Sequence, residues 1–413
     1  MSEEIKTLYI VVDAFRSDYI DEKTMPLTYK LANNSKFIKE IVPSPGFCER
    51  VEILTGKKNV ETGYFTAIDL IDSEHKFSFY LKFISFFSKF VGLFERFFNS
   101  YFFFRVRKKI NQIFISRIFP RKNMPVFNIP LNLYEKFDLS EDLVDQSLPS
   151  AFGVPSIVDW SKKQGKSVNF DAFTSLGDDN PLYTDELRLS YLKQNFFNLK
   201  DSIFFLYIGE LDAMGHKYGP GSLEFKEVLK LFDSKLNSFI DSLNNQGSFN
   251  LVVIGDHGMS DVKGSVDFKK EVKKTLNSLN IQSKDEIIIF CDSTVGRVWV
   301  KDKKVLNSLK IALLENNTLN EHGIIFKQND YEKYGVPINH KNHGDIIWFA
   351  NDGFVISPDY FYGAFPPKGM HGYLPLYKQN FGLAIFSAPD IDPEIFDRKD
   401  LSDLVNLSSS FFE

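Results

Sequence analysis

Four short motifs in this sequence bring aspartate and histidine together in a pattern that suits metal-assisted phosphate chemistry. They are Val12-Asp13, Asp212-Ala-Met-Gly-His216, Asp256-His257-Gly258 and Gly369-Met-His371-Gly372. Neutral imidazole combined with carboxylate favours Zn²⁺, with Mn²⁺ or Fe²⁺ as alternatives. Two such ions about 4 Å apart stabilise the charges that develop when a phosphoryl group is transferred. The motifs therefore predict a site for two divalent metal ions that acts on a phosphate ester.

The spacing of these residues supports shared ligation. Asp212 and His216 are four residues apart, so on a helix both side chains point the same way and can bind one ion. Asp256 and His257 are adjacent and can reach one ion or two neighbouring ions from a loop. The glycines near His371 allow the backbone to approach closely. Any one pair could instead be a helix cap or a buried hydrogen bond, whereas the four motifs together favour a metal site.

The elements that must position these residues alternate along the chain. Six short apolar runs predict buried strands: Leu8–Val12, Ser202–Tyr207, Leu251–Ile254, Glu286–Phe290, Asp345–Phe349 and Phe381–Phe386. Four amphipathic stretches predict helices: Ser156–Gln164, Glu186–Asn195, Leu223–Leu243 and Lys304–Asn316. This alternation predicts an α/β fold with a mainly parallel central sheet and helices on both faces. Ligands of such sheets lie outside the carboxyl ends of the strands, where Asp13, Asp212 and Asp256 are expected.

The order of several motifs resembles a known superfamily. The motifs are Asp13, Leu54-Thr55-Gly56 at a helix end, Asp212-x-x-Gly-His216-x-x-Gly-Pro220, Gly255-Asp256-His257-Gly258-Met259 and His371-Gly372-Tyr373. This order is similar to that of the alkaline phosphatase superfamily, and most of all to its type I phosphodiesterase / nucleotide pyrophosphatase branch. The likeness covers residues 5–60 and about 150–390. It implies that Asp212, His216 and His371 hold one ion, and that Asp13, Asp256 and His257 hold the other.

The resemblance also implies a nucleophilic Thr or Ser ten residues before the glycine of the helix-ending Thr-Gly pair. That position is Gly46, so the usual hydroxyl is absent. Three attacking groups remain open. Cys48 ranks first, as a thiolate whose pKa is lowered by a helix start and two cations, although a buried apolar role suits it equally. Ser44 and a metal-bound hydroxide are the others.

Arg50 is a further candidate at the same helix start. It lies six residues before Gly56, where sulfatases of the superfamily also carry an arginine. Its guanidinium is expected to clamp a phosphate oxygen, or to pair with Glu49 or Glu210. Sulfatase activity is not expected, because the cysteine that those enzymes oxidise would fall at Gly46.

The segment between residues 74 and 125 differs from the rest in composition. It holds 14 of the 43 phenylalanines and 11 lysines or arginines, against two acidic residues. From Phe83 to Phe98 the phenylalanines recur at three- and four-residue steps, which is typical of an amphipathic helix. We therefore expect a catalytic domain formed by 1–73 and 126–413, interrupted by a helical insert at 74–125. Residues 76–122 are expected to contact a membrane surface, or else to cap the site.

These observations predict a metal-dependent phosphodiesterase or pyrophosphatase-type hydrolase, or a phosphoryl transferase, whose substrate is a small or lipid-linked phosphodiester. The rival prediction is a non-catalytic, metal-stabilised, membrane-associated scaffold in which Gly46 marks lost chemistry. A net charge of −5 gives no reason to expect nucleic acid. Two cysteines, an acidic start and the lack of a long apolar run predict a cytoplasmic protein, peripheral to the inner face of a membrane.

Overall fold

The computed structural model describes residues 5–71, 128–134, 136–173, 181–281, 287–338 and 341–412, together with the isolated positions 106, 109 and 113. The expected insert at 74–125, and with it the expected membrane contact through 76–122, lies almost wholly outside the described residues. The division into a catalytic domain and an insert therefore stays a prediction. Within the described ranges, no helix combines the length and the apolar character needed to cross a bilayer.

The strands of the described residues are numbered in chain order. They are β1 Lys6–Val12, β2 Lys36–Val42, β3 Ile68–Leu70, β4 Phe137–Leu139, β5 Val168–Ala172, β6 Ile203–Ile208, β7 Phe249–Gly255, β8 Ser260–Asp261, β9 Gly264–Val266, β10 Ile287–Asp292, β11 Val295–Val300, β12 Gly323–Ile325, β13 Ile346–Ala350, β14 Phe354–Ile356, β15 Gly369–Met370, β16 Gly382–Ser387 and β17 Glu394–Asp400. All six predicted strands are present, with ends that differ from the prediction by at most two residues.

The helices follow the same convention. They are α1 Pro26–Asn33, α2 Glu49–Thr55, α3 Asn59–Thr62, α4 Leu131–Tyr134, α5 Ile157–Lys163, α6 Asp185–Asn195, α7 Glu210–Tyr218, α8 Leu223–Asn244, α9 Phe268–Ser278, α10 Lys303–Leu314, α11 Asn317–His322, α12 Gln328–Tyr334 and α13 Leu404–Phe412. The four predicted helices appear as α5, α6, α8 and α10. The longest, α8, begins where the Ser222 hydroxyl accepts the backbone N–H of Phe225, 3.1 Å away, which is a typical N-cap.

The central sheet has seven strands in the order β17-β2-β16-β7-β1-β6-β5. Strand β1 pairs in parallel with β6 and β7, β5 pairs in parallel with β6, and β17 with β2. Only β16 runs antiparallel to both of its neighbours within this sheet. The predicted mainly parallel sheet is thus confirmed. Because parallel strands end at the same edge, the carboxyl ends of β7, β1 and β6 lie side by side.

Helices cover both faces of this sheet. Along β1, alternate side chains enter different cores because successive residues of a strand point to opposite faces. Ile10 packs in one core with Phe232 of α8, and Val11 packs in the other with Leu54 of α2. The central strands are therefore buried on both sides, which explains why their sequences are almost continuously apolar.

A second sheet of four strands, in the order β10-β11-β13-β12, is antiparallel throughout. Two of the predicted strands, Glu286–Phe290 and Asp345–Phe349, belong to it as β10 and β13. Their apolar sequences indicate burial but carry no information on which sheet they join. This sheet has its own core around Trp348 and Phe268, next to the end of the central sheet that bears the predicted site.

Candidate metal centre

Three neighbouring strands deliver the first ligating side chains to one edge of the central sheet. Asp13 directly follows β1, and Asp256 directly follows its parallel neighbour β7. On the other side of β1, strand β6 ends at Ile208 and α7 begins at Glu210, so that Asp212 lies in the first turn of this helix. The carboxylates predicted at three strand ends therefore meet at one edge.

A small additional pairing brings His371 to the same place. Strand β15, which directly precedes His371, pairs with β8, which closely follows His257. The rings of His371 and His257 stack, with their centroids 4.0 Å apart and their planes 8° from parallel. The centroids of His371 and His216 are 5.3 Å apart. Imidazoles from three separate motifs thus converge.

The structure divides the six predicted ligands into two groups, each with ligand atoms within 4.8 Å of one another: Asp13, Asp256 and His257 form the first triad, and Asp212, His216 and His371 form the second triad. In the first triad, His257 Nε2 lies 2.9 Å from Asp13 Oδ1. In the second, Asp212 Oδ1 lies 3.1 Å from His216 Nε2 and 3.5 Å from His371 Nε2. This division is the one that the resemblance implied.

The hydrogen bonds of two imidazoles leave the nitrogen that faces each triad able to ligate. His216 Nδ1 lies 2.8 Å from the carbonyl oxygen of Gly369, and His257 Nδ1 lies 2.8 Å from that of Gly258. Because a carbonyl oxygen only accepts, Nδ1 of each neutral ring carries the hydrogen and Nε2 keeps its lone pair. A backbone carbonyl that fixes the tautomer in this way is typical support for a metal-binding histidine.

Three buried polar atoms of the triads have no hydrogen-bond partner among the described residues: Asp13 Oδ1, Asp212 Oδ1 and His371 Nδ1. Leaving a buried polar atom unpaired costs about 1–3 kcal/mol, so such atoms are uncommon. The two carboxylate oxygens are the same atoms that lie closest to the imidazole Nε2 atoms. A divalent ion bound there would be ligated by the carboxylate oxygens and by the imidazole Nε2 atoms. The residues present therefore fit metal ions.

The pKa shifts of the triad residues also suit a metal site. Burial raises the pKa of Asp256 to about 7, and the charge of Asp13 also raises it. Burial opposes a charge on His257, but Asp256 and Asp13 hold its pKa well above the usual value. Burial and the charge of His257 lower the pKa of His371 well below the usual value. Protons thus neutralise carboxylates that cations would otherwise neutralise, and metal binding is expected to release protons.

Both triads line a pocket of about 530 Å³. Its wall also includes Arg50, Arg188, Phe173 and Tyr183. A volume of this size is typical of sites for small organic ligands. The pocket therefore has room for a phosphate group together with one substituent of moderate size.

The structure places Cys48 outside the pocket lining, which does not support its predicted role as the nucleophile. Cys48 is 2% exposed, its Sγ lies 3.7 Å from the hydroxyl of Ser140, and it is not among the residues that line the pocket. Burial raises the pKa of its thiol well above the usual value, and the charges of Glu141 and Asp69 also raise it. The helix start and the cations could lower this pKa only if the thiol faced them, and it faces away.

Ser44 also lies outside the residues that line the pocket, and its catalytic role stays a prediction that this placement does not support. Its backbone N–H donates to Glu52, 2.8 Å away, and its hydroxyl lies 3.5 Å from the backbone nitrogen of Asn59. Gly46 has a φ of +109°, and a Cβ at this position would lie 2.0 Å from the carbonyl oxygen of Phe65. No residue with a side chain fits there, which accounts for the missing hydroxyl.

Arg50 lies in the wall of the pocket, as expected of a phosphate clamp. Its Nη1 is 3.3 Å from Asp142 Oδ1, and its guanidinium stacks over the ring of Phe173 at 5.1 Å. Glu210, one of the expected partners, instead forms an ion pair with Lys235. A guanidinium held in this way can donate a hydrogen bond to a phosphate oxygen. The role of Arg50 as a phosphate clamp stays a prediction.

Two residues at the site were missed by the sequence reasoning. Glu49, the first residue of α2, places a carboxylate oxygen within 4.8 Å of ligand atoms of His257 and His371. Tyr207, on β6, donates its hydroxyl to Asp13 Oδ2. Neither sequence signal is specific, because an acidic first turn is typical of any helix and a tyrosine in a strand is typical of a core.

Parts of the chain match a known family and several known proteins. A model of the type I phosphodiesterase / nucleotide pyrophosphatase family matches residues 134–374, more than half of the chain. Ectonucleotide pyrophosphatase/phosphodiesterase family member 7 of Rattus norvegicus is 37% identical over 161 residues, which are 38% of this chain and 35% of the relative. GPI ethanolamine phosphate transferase 1 of Schizosaccharomyces pombe is 36% identical over 63 residues, which are 14% of this chain and 7% of the relative. The matches thus span about a third or less of these relatives.

A solved structure matches over a larger part of the chain. It is murine ectonucleotide pyrophosphatase / phosphodiesterase 5, in an inactive form in complex with AMP, and it superposes with a TM-score of 0.66 at 17% identity. The superposition covers 99% of this chain and 95% of that chain. At this identity the likeness shows the fold alone, a mainly parallel sheet covered by helices.

Proposed function

Since this chain belongs to the type I phosphodiesterase / nucleotide pyrophosphatase family, we propose that it is a metal-dependent hydrolase that cleaves a phosphodiester or a pyrophosphate bond. The family match confirms the resemblance that the motif order indicated. The observation that carries the proposal is the convergence of six ligating side chains, from four separate motifs, into two triads on one pocket. A fold of this kind hosts the reaction only if such a site is present.

We propose that each triad holds one divalent ion, with Zn²⁺ as the first choice and Mn²⁺ as the second. When bound, the two ions would polarise the phosphate and stabilise the charge on the attacking and leaving oxygens. The chain's own groups orient the ligands and the substrate. The carbonyls of Gly369 and Gly258 fix the rings of His216 and His257, and Arg50 binds a phosphate oxygen from the pocket wall.

The attacking group that this arrangement favours is water. The predicted side-chain nucleophiles, Cys48 and Ser44, do not line the pocket. Ser293 does line it, but its hydroxyl lies 3.0 Å from Asp359 Oδ2 and donates to it. Of the three alternatives open from the sequence, direct attack by an activated water is therefore the one that the packing around α2 favours.

The substrate class is proposed from the pocket and from the relatives. The pocket volume suits a nucleotide-sized phosphodiester, and one relative in the family is a nucleotide pyrophosphatase/phosphodiesterase by name. A second relative is named as a phosphate transferase. The proposal therefore includes transfer of the phosphoryl group to an acceptor other than water. A lipid-linked substrate, a membrane contact and a cytoplasmic location depend on residues or properties outside the described structure and stay predictions.

The rival function, a non-catalytic metal-binding scaffold, is favoured by one observation. The usual nucleophile position is Gly46, where the Phe65 carbonyl leaves no space for a side chain. A scaffold would bind metal ions and turn over no substrate. A single experiment therefore distinguishes the two candidate functions.

That experiment measures hydrolysis of bis-nitrophenyl phosphate and of a nitrophenyl nucleotide by protein loaded with Zn²⁺ or Mn²⁺. We expect turnover by the wild type, and a loss of at least about 10³-fold in Asp256→Asn, which removes the charge of one ligand. The matched control is Asp397→Asn, an exposed aspartate on β17. Equal turnover by metal-free protein or by Asp256→Asn would exclude the proposed chemistry, and no turnover by metal-loaded wild type would favour the scaffold.

A further inference from the structure

We propose that Glu49 is a seventh metal ligand, at the place where the two triads adjoin. The inference rests on the proposed function, because it assumes that the two triads hold divalent ions. It assigns a role to a carboxylate that no motif indicated, and it decides which kind of attack the site can support.

The position of Glu49 relative to both triads carries the proposal. Its carboxylate and the ligand atoms of His257 and His371 lie within 4.8 Å of one another. His257 belongs to the first triad and His371 to the second, and their rings stack at 4.0 Å. Glu49 therefore reaches both triads at the place where they adjoin. A carboxylate has two oxygens, and can bind one ion with each when two ions are about 3.5–4 Å apart.

The other carboxylates around the start of α2 are engaged elsewhere. Asp142 forms an ion pair with Arg50, and Glu141 accepts the backbone N–H of Val51 at 3.1 Å. Within the described residues, Glu49 forms no ion pair with a lysine or an arginine, and the charges that act on it are those of His257, Asp256 and Glu141. A divalent ion would neutralise this carboxylate, and it would also bind the unpartnered oxygens of Asp13 and Asp212.

The backbone before α2 explains why a carboxylate can take this place. Gly46 adopts a left-handed conformation against the Phe65 carbonyl and cannot carry a side chain. Cys48 then points towards Ser140, on the far side from the triads. Glu49 begins the helix and lines the pocket, so it is the residue whose side chain enters the space next to His257 and His371.

A consequence for the reaction follows from this assignment. With Glu49 ligating the ions, hydrolysis proceeds by a single displacement. The oxygen of a water molecule bonds to phosphorus while the bond from phosphorus to the leaving oxygen breaks. The leaving oxygen keeps the electron pair and takes a proton from solvent, and the attacking water loses a proton to solvent. A single in-line displacement inverts the configuration at phosphorus.

The test measures metal affinity and is independent of turnover. Metal-free wild type, Glu49→Gln and Glu141→Gln are titrated with Zn²⁺ and with Mn²⁺ by calorimetry, with a competing chelator where binding is tight. Residues that only orient a ligand change metal affinity by about 10–100-fold. We expect Glu49→Gln to weaken at least one of the two ions by more than about 100-fold, and Glu141→Gln to weaken both by less than about 10-fold.

Glu141→Gln is the matched control because Glu141 is also a buried carboxylate in the wall of the same pocket. Equal affinities in the two variants would overturn the assignment, since only a general loss of negative charge would then have been measured. Glu49→Asp, which keeps the charge on a shorter side chain, provides a second variant if Glu49→Gln does not fold. An intermediate affinity for Glu49→Asp supports ligation, and an affinity equal to that of wild type argues against it.

A second measurement separates a ligand from a nucleophile. Turnover in ¹⁸O-labelled water of a substrate that is chiral at phosphorus should invert the configuration and leave the peptide containing Glu49 unlabelled. Retention of configuration would show a covalent intermediate and overturn the single displacement, and ¹⁸O in the Glu49 carboxylate would identify Glu49 as the attacking group. If metal-loaded wild type turns over no substrate, the proposed function fails, while the titrations still decide whether Glu49 binds metal.

Discussion

Two buried polar clusters lie close together in this protein, and they neutralise their carboxylates in different ways. The open cluster consists of the two triads and lines the pocket. The closed cluster contains Asp69, Asp292, Arg297 and His343, all of which are buried. In the closed cluster, Arg297 Nη1 lies 3.1 Å from Asp69 Oδ1, and Nη2 lies 3.5 Å from Asp292 Oδ2. The closed cluster therefore contains its own permanent cation, whereas the open cluster does not.

The ionisation of the carboxylates reflects this difference. Burial opposes a charge on Asp69, but His343 and Arg297 hold its pKa below the usual value. Burial raises the pKa of Asp13, and the charge of Asp212 raises it further. Asp69 beside the guanidinium is thus easier to ionise than Asp13 beside another carboxylate. This difference supports the proposal that the open cluster binds divalent cations.

The largest expected effect is on catalysis by the open cluster. We expect Asp212→Asn to lower kcat/KM by about 10⁴-fold, which corresponds to about 5.5 kcal/mol of transition-state stabilisation. The Oδ1 atom of Asp212 faces both His216 and His371, so an ion held by the second triad would lose its central ligand. The free energy of unfolding of the metal-free variant should fall, because burial raises the pKa of Asp212 but the charges of His216 and His371 hold it below the usual value, and this stabilisation is lost. A loss above about 3 kcal/mol would show that Asp212 is mainly structural and would break the comparison.

The next effect is on stability, and it concerns the closed cluster. We expect Arg297→Met to lower the free energy of unfolding by about 3–5 kcal/mol, because the buried Asp69 carboxylate would lose its guanidinium partner. Chemical denaturation of metal-free protein measures this loss. Arg297→Lys, which keeps the charge, should lose less than Arg297→Met. A loss below about 1 kcal/mol in Arg297→Met would mean that the ion pairs of this cluster contribute little.

Sequence reasoning reached the open cluster and did not reach the closed one, for physical reasons. Asp13 and Asp256 were predictable because carboxylates that follow buried parallel strands meet at one edge. His371 was a candidate from its glycine-flanked motif, but its place beside Asp212 and His216 came only from the family resemblance, since it depends on the pairing of β15 with β8. Arg297 lies in an apolar strand, and no local signal shows that Asp69 is its partner from 228 residues away.

The start of α2 was the least predictable part of the site. Helical periodicity gives the helix, but the direction in which Cys48 and Glu49 point depends on the left-handed Gly46 and on contacts with Phe65 and Ser140. These contacts join distant segments of the chain. The sequence therefore did not predict that Cys48 lies outside the pocket lining, and Glu49 was missed for the same reason.

Added metal should stabilise the protein through the open cluster alone. At about 100 times its Kd, one ion that binds only the folded state raises the free energy of unfolding by about 2.7 kcal/mol. We expect this increase in wild type and in Arg297→Met, and its loss or reduction in Asp212→Asn. Thermal unfolding with and without Zn²⁺ or Mn²⁺ measures it. An equal increase in Asp212→Asn would place the stabilising ion somewhere else.

A smaller effect is expected on the pH dependence of stability in the closed cluster. Burial raises the pKa of Asp292 to about 7, although Arg297 lowers it. The folded state therefore keeps a proton on Asp292 that the unfolded chain has already lost above its ordinary pKa of about 3.9. Since the folded state binds more protons in this window, Asp292 makes the free energy of unfolding fall as pH rises from about 4 to about 7, and its effect is constant above that range.

Asp292→Asn should remove this contribution because an amide does not titrate. Between about pH 5.5 and about pH 7.5, the free energy of unfolding of wild type should fall by about 2 kcal/mol more than that of the variant. Denaturation of metal-free protein at the two pH values gives both differences. Equal differences in wild type and variant would show that Asp292 is ionised throughout, held by Arg297.

The smallest expected effect concerns Cys48, which interacts more with the closed cluster than with the open cluster. Its thiol contacts Ser140, and Glu141 and Asp69 raise its pKa together with burial. Because a thiolate is needed for nucleophilic attack, Cys48→Ala should change kcat/KM by less than about twofold and the folded wild type should react slowly with iodoacetamide. A loss of activity comparable to that of Asp212→Asn would mean that the loop before α2 rearranges when metal binds. The thiol would then belong to the open cluster. The distinction between a cluster with its own cation and a cluster that binds metal ions would then not apply to the start of α2.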